Sequence, residues 1–310
     1  RTVESILVLL VMSVVIYALI GLMPGDPIDL MISADPHLTP ADAARLKALY
    51  GLDLPLYVRY WNWFTAALGG DFGYSRLFSR PVLDVLPAYL GRTAILMGTS
   101  FVLSVAIAVP TGIWAAVRPY SRTDYVINLL SFAGISMPPF WLALLLIMLF
   151  AVGLGWLPAG GMETVGLNSL VDKILHLVLP VLALTLLSVA GVTRYVRAEM
   201  IGVLRQDYVR TARAKGVPEG SVVWRHALRN ALIPVVTVLA LDFGALFSGA
   251  LITETVFAYP GMGKLIYDAI LGNDFNLALV GLLFATLLTL VGNLLADLAY
   301  AKLDPRISYG

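Results

Sequence analysis

The stretch TAILMGTSFVLSVAIAVPTGIWAAV, from Thr93 to Val117, contains no Asp, Glu, Lys, Arg or His. A helix of roughly 20 apolar residues crosses a hydrocarbon core of about 30 Å and satisfies every backbone N–H and C=O within itself. The stretch therefore reads as a membrane span, and the same criterion applied outward from it finds five more. Ser5 to Met23 is equally free of charge. The third span lies in the uncharged run Tyr125 to Met162, at about Leu129 to Leu154, because Gly155, Pro158, Gly160 and Gly161 read as an exit turn. The fourth is Ile174 to Thr193, the fifth Ala231 to Thr253 and the sixth Phe275 to Ala296. A cleaved signal peptide is a poor reading of the first, which is span-length and lacks a convincing small-residue cleavage site before Pro24-Gly25-Asp26-Pro27. The fold class is an all-α polytopic membrane protein with six transmembrane helices.

Composition agrees. Of 310 residues, 59% are hydrophobic and 13% charged, with a mean hydropathy of +0.84, whereas an ordinary soluble domain is roughly 25% charged. A net charge of +1 gives no basic footprint for nucleic acid. With no Cys and with three scattered His, at 37, 176 and 226, the chain offers no disulfide framework and no metal cage.

Orientation follows from where Lys and Arg fall in the short loops. The connection 194–230 carries Arg194, Arg197, Arg205, Arg210, Arg213, Lys215, Arg225 and Arg229 against Glu199, Asp207 and Glu219, which puts it on the cytoplasmic side. The loop at Arg118 and Arg122 falls on the same side, and both termini are then cytoplasmic. No repeat or low-complexity linker divides the chain, so residues 1–310 read as a single transmembrane domain with an external loop at 24–92. Within that loop, Thr39-Pro40-Ala41-Asp42 is a capping box leading a helix to about Tyr50, stopped by Gly51. Asp53 and Pro55 repeat the start signal. Leu56, Trp61, Trp63 and Phe64 follow, aromatics suited to the headgroup level, so two short helices are expected on the outer face.

The cytoplasmic loop carries the most information. Val196, Met200, Val203, Leu204 and Tyr208 fall on one helical face, extending span four into the cytoplasm. Next comes the run Asp207 to Pro218, in which Gly216 followed by Pro218 stops a helix, and Ser221 can start another through Trp224 and His226. A short helix between two turns results. Its small Ala212 and Ala214 leave room for another surface, and Arg213 and Lys215 offer charge. On physics alone, a plain positive-inside loop is an equally good reading.

This stretch resembles the cytoplasmic signature of ABC-importer permeases: Glu-Ala-Ala, three residues, Gly, then nine residues, Ile, any residue, Leu-Pro. Arg210-Thr211-Ala212 stands in for Glu-Ala-Ala, and Gly216 is the glycine. His226 takes the Ile position, Leu228 matches, and Arg229 replaces the proline, which instead appears at Pro234. Those departures are similar to the dipeptide, oligopeptide and nickel branch, with Tyr208 to Gly216 and His226 to Val235 matching its pattern. Pro24 to Pro27, Gly70-Asp71-Phe72-Gly73, Ser136 to Trp141, Glu254 to Phe257, Tyr259 to Gly263 and Asp304 to Ile307 agree with that branch too. The resemblance runs in order along nearly the whole chain.

The resemblance implies a type I ABC-importer permease subunit of a bacterial or archaeal inner membrane. It would pair with a second homologous permease to form the translocation path, with one or two cytoplasmic ATPase subunits and an extracytoplasmic substrate-binding protein as further partners. The coupling residues would be Tyr208, Arg210, Thr211, Ala212, Arg213, Ala214, Lys215 and Gly216, seated in a groove of the ATPase. The chain has no G-x-x-x-x-G-K-[ST] loop, so ATP and Mg would be held by the partner ATPases, and this chain would be a transport subunit with no cofactor of its own. Di- or oligopeptides are the expected solute, with a nickel chelate or another small solute as the alternative.

Four residues are candidates for the translocation path. Asp242 sits near the middle of span five, where an ionisable group faces either a cavity or a partner. Asn293 in span six has the same ambiguity, as does Asp297 more weakly. Ser136 precedes Pro138 and Pro139, which suggests a broken helix with freed carbonyls, although kinks also serve packing. Glu254 opens the Gly-rich external segment 254–274, which reads either as a gate or docking element or as an ordinary loop with a short helix near Lys264 to Leu271. His176 reads as an interfacial polar group. An ion-coupled secondary transporter titrating at Asp242 would show an inverted repeat, and an intramembrane protease would show a nucleophile and base in the spans; neither stands out.

Overall fold

The computed structural model describes residues 2–22, 45 and 53–303, without the side chains of 2, 237, 240–249 and 295–303. The expected helix at 39–50 and the motifs at 24–27 and 304–307 lie outside the described residues. The described chain is helical apart from one short hairpin. Four of its helices are long and apolar enough to cross a membrane: Val3–Gly21, Val82–Val117, Leu170–Leu204 and Phe275–Leu294. A fifth crossing is available if the bent pair Arg122–Ser136 and Pro139–Gly153 counts as one span. The chain divides into two compact units, Arg1–Arg92 with Gly261–Leu288 and Thr93–Pro260 with Thr289–Gly310.

The first unit gathers α1 (Thr2–Gly21), α2 (Leu56–Leu68), the strands β1 (Tyr74–Ser75) and β2 (Arg80–Pro81), the start of α3 (Val82–Val117), α11 (Met262–Leu271) and the start of α12 (Phe275–Leu303). The second start signal of the outer loop thus does begin a helix, with Pro55 at its N-cap. Its two Trp side chains differ in exposure. Trp61 is exposed, but Trp63 packs inward, 5.8 Å from the ring of Tyr17, which also meets Tyr60 edge-on at 5.4 Å. The Ser13 and Tyr60 hydroxyls, 2.8 Å apart, add a polar tie between α1 and α2.

The hairpin was not anticipated, and its anchor is Asp274, which is 1% exposed. The Asp274 carboxylate caps α12 by accepting from the Leu277 N–H at 3.2 Å, and it also accepts from the Ser75 hydroxyl at 2.5 Å and the Leu77 N–H at 3.0 Å. Arg76 donates to the Gly272 carbonyl beside it. Gly73 suits this turn because its φ is +81°, a left-handed backbone that L side chains rarely adopt.

In the second unit the remainder of α3 buries Thr93, Leu96, Met97, Ser100, Ser104 and Ala108, residues spaced along one helical face. Ile95, Val102, Leu103 and Trp114 are exposed on the same helix, so its outward surface is the more apolar one. That inversion suits a lipid solvent, where small residues let backbones approach. Gly112 allows one such approach, since a Cβ there would sit 2.7 Å from the Cβ of Val196 on α6 (Leu170–Leu204).

The third expected span is not straight. α4 (Arg122–Ser136) ends at Met137 and α5 (Pro139–Leu146) restarts after Pro138, with a bend of 105° across the pair, and α5 continues as a π-helical stretch, Ile147–Gly153. Pro138 disfavours helical backbone at Met137, whose ψ is 128°, and Pro139 starts the next helix without needing an N–H donor. α6 runs 35 residues, so span four does continue into the basic loop with Val196 and Met200 buried, but it ends at Leu204, and Tyr208, expected on the same face, is exposed on the next helix. Then come α7 (Asp207–Ala214), α8 (Glu219–Ser221) with a π-helical stretch Val222–Ala227, α9 (Leu228–Gly249) and α10 (Leu251–Val256).

Candidate functional site

The loop 194–230 forms a built structure. α7 ends in a Schellman motif: the Gly216 N–H donates to the Arg213 carbonyl at 2.9 Å and the Val217 N–H to the Ala212 carbonyl at 3.2 Å. Gly216 holds φ at +75°, the left-handed conformation such a stop requires. Beneath the helix, Val209, Ala212 and Val222 are buried together, with Val203, Leu204 and Val217 packed on them. This apolar footing sets the face that α7 presents.

Arg210, Thr211, Arg213, Ala214, Lys215 and Gly216 are exposed, and so is Tyr208, whose hydroxyl accepts from Nδ2 of Asn230 at 3.0 Å. Ala212 faces the other way, so its small size serves the chain's own packing, and Ala214 is left as the small residue on the outer face. Across the turn, Arg213 donates to both Glu219 carboxylate oxygens, at 3.1 and 2.6 Å. This bonding holds Glu219 below its ordinary 4.5 and raises Arg213. The contribution of the pair is therefore present above pH 4.5 and fades as pH falls through the lowered value.

The path candidates sit on separate elements. Ser136 is exposed at the α4 break, and Asn293 on α12 is half-buried. Glu254 on α10 is fully buried and accepts from the Thr93 hydroxyl at 2.6 Å. The backbone around it is sealed too: the Tyr259 N–H donates to the Glu254 carbonyl at 2.8 Å, and the Gly161 N–H to the Phe257 carbonyl at 2.8 Å. Phe257 and Tyr259 are buried in the second unit's core, so residues 253–257 are not a loose external loop; the helix expected near Lys264 is α11. The side chains of Asp242 and Asp297 lie outside the described residues. His176 is buried, with its Nδ1 2.9 Å from the Asp172 carbonyl oxygen.

One charged pair was missed by the sequence reading. Asp124, 2% exposed, meets Arg197 side-on, Nε to Oδ1 at 2.6 Å and Nη2 to Oδ2 at 2.7 Å. Its carboxylate also accepts from the Tyr120 N–H at 2.8 Å and from Nδ2 of Asn128 at 2.7 Å. The local signal existed in Ser121-x-x-Asp124, a capping-box pattern whose Ser Oγ does accept from the Asp124 N–H. The partner, 73 residues on, left no signal of its own among eight basic residues of one loop.

Long apolar helices with outward apolar faces, joined by an ordered basic loop, mark the described residues as those of a multi-pass membrane protein. The chain belongs to the family described as binding-protein-dependent transport system inner membrane component, whose model matches residues 108–309, and its N-terminal portion matches residues 1–85. It is an ABC-importer permease of the inner membrane. Among curated relatives it is 42% identical to an oligopeptide transport system permease protein of Bacillus subtilis, over 100% of this chain and 98% of that one. It is 39% identical to a glutathione transport system permease protein of Escherichia coli, over 97% and 95% of the two chains. A dipeptide transport system permease protein of Alkalihalophilus pseudofirmus is 36% identical over 97% and 96%. Of solved structures, an amino acid ABC transporter with histidines aligns at a TM-score of 0.49 and 15% identity, covering 69% of this chain and 92% of that one.

Proposed function

We propose that this chain is the transmembrane subunit of an ATP-driven importer of di- and oligopeptides, forming the path with a second, homologous permease. One or two cytoplasmic ATPases hold ATP and Mg, and an external binding protein delivers the solute. The observation that carries this reading is the geometry of the loop 194–230. A helix of eight residues, locked at one end by a Schellman stop and seated on Val209 and Ala212, presents Tyr208, Arg210, Thr211, Arg213, Ala214, Lys215 and Gly216 outward. A rigid, basic, outward helix is a docking knob, and ATP can drive alternating access only if the docked ATPase favours one membrane conformation over the other.

The peptide assignment is supported by relatives whose names specify oligopeptide, dipeptide and glutathione transport at near full-length coverage. The reading includes six crossings with both termini cytoplasmic. In it Asp242, Asn293 and Ser136 line the path, while Glu254, sealed in the described conformation, opens to the path in another.

The test is uptake by proteoliposomes holding this chain, its partner permease and ATPases, with the binding protein outside. A radiolabelled mixture of di-, tri- and tetra-alanine, glutathione and a nickel–histidine chelate are offered separately. ATP-dependent accumulation of the alanine peptides is expected. Accumulation of the nickel chelate alone would overturn the peptide assignment, and accumulation of any solute without ATP would overturn the importer reading.

A further inference from the structure

The pair Asp124–Arg197 lies at one end of a continuous seam between α4 and α6. At the other end, Gly134 lets the two helices close, a Cβ there standing 2.8 Å from the Cβ of Ala190. Between them the guanidinium of Arg194 lies 4.4 Å from the ring centroid of Phe132. The order of these contacts, 124 with 197, 132 with 194 and 134 with 190, is that of two antiparallel helices joined along their length. α6 leads into α7 across only two residues, Arg205 and Gln206, since α6 ends at Leu204 and α7 starts at Asp207. α4, for its part, ends at the 105° break. A push on α7 therefore reaches the break through the seam.

We infer that Asp124 and Arg197 are positioning residues for transport: they fasten α4 to α6 so that the two helices move as one body and deliver displacement of the coupling helix to the Met137–Pro138 break. This rests on the importer reading above. The chemistry suits a fastener. A side-on guanidinium–carboxylate pair fixes orientation as well as distance, and Asp124 has its remaining lone pairs committed to Tyr120 and Asn128. Asp124 is thus held from its own helix and from α6 together, leaving little play at that end of the seam.

The absence of Cys in the chain allows a direct test. Disulfides need a Cβ separation of about 3.5–4.5 Å, so Gly134→Cys with Ala190→Cys locks the seam after a small separation of the helices. In proteoliposomes with the partner chains, supplied with the di-, tri- and tetra-alanine mixture, Asp124→Asn is expected to keep ATP hydrolysis within two-fold while uptake falls at least ten-fold. The oxidised lock alone is expected to leave uptake within two-fold, and in the Asp124→Asn background to restore it to within three-fold of wild type. Uptake unchanged in Asp124→Asn, or abolished by the lock and recovered with reductant, would overturn the proposal. If Asp124→Asn fails to assemble, the lock alone decides, since helices that must slide cannot tolerate it. Wild-type protein that shows no ATP-dependent uptake would overturn the importer reading itself.

Discussion

Gly216 and Gly160 resist substitution for opposite reasons. At Gly216 nothing lies within 4 Å of an added Cβ, so space is free and only the φ of +75° objects. Left-handed backbone costs L residues roughly 1–2 kcal/mol, less for Asn and most for β-branched side chains. Gly216→Asn should keep peptide uptake within two-fold, whereas Gly216→Val should reduce it several-fold by unravelling the stop that fixes the exposed face of α7. Proteoliposome uptake with the partner chains reads both, and equal activity of the two variants would show that the stop has no part in coupling. At Gly160 the backbone is ordinary, but a Cβ would collide with the Phe257 carbonyl. The first glycine was legible in the sequence because Gly216 and Pro218 form a local stop signal. The second was read only as part of an exit turn, since its constraint comes from a residue 97 positions away. Arg197 was equally hidden: counted as one positive charge among several, it is the partner that makes burial of Asp124 affordable, and removing either member of such a pair costs about 3–5 kcal/mol.

At the scale of elements, periodicity served well wherever one helix met one environment. The run of apolar residues from Val196 to Leu204 did extend α6, and Pro55 did open α2. It served less well where an apolar helix meets two apolar environments, protein and lipid, since composition cannot tell them apart. α2 is the instance: Trp61 and Trp63 are alike in sequence, yet Trp61 is 62% exposed while Trp63 packs on Tyr17. In variants retaining one Trp of the six, brominated lipid should quench Trp61 at least twice as strongly as Trp63, and aqueous iodide should barely reach Trp63. Equal quenching of both by lipid would mean that α2 lies flat on the membrane and not against α1. The α4 break was half legible, because tandem Pro138 and Pro139 announce an interruption but say nothing of its angle. The hairpin was not legible at all, its two-residue strands being too short for any period.

For the whole molecule, the six-crossing proposal requires the bent pair to cross, and the hairpin supports that requirement. Asp274 bonds Ser75 and Leu77, so the loop before α3 and the turn before α12 stand on one side of the membrane. The chain between them must therefore cross an even number of times. α3 and α6 are span-length and α9 runs 22 residues; if each crosses once, the pair α4–α5 must cross as well, despite its 105° bend. A re-entrant α4–α5 would leave three crossings and tear the hairpin from its anchor. It would also put the Arg118–Arg122 loop and the loop 194–230 on opposite sides, against the distribution of positive charge. Single Cys residues in this Cys-free chain can test the argument with a membrane-impermeant maleimide. Tyr74→Cys and Tyr267→Cys should both label in intact cells, both side chains being exposed, whereas Arg210→Cys and Glu4→Cys should label only in inside-out vesicles. Labelling of Tyr74→Cys and Arg210→Cys from the same side would make the pair re-entrant and break the six-span reading, while leaving the basic loop's own packing untouched.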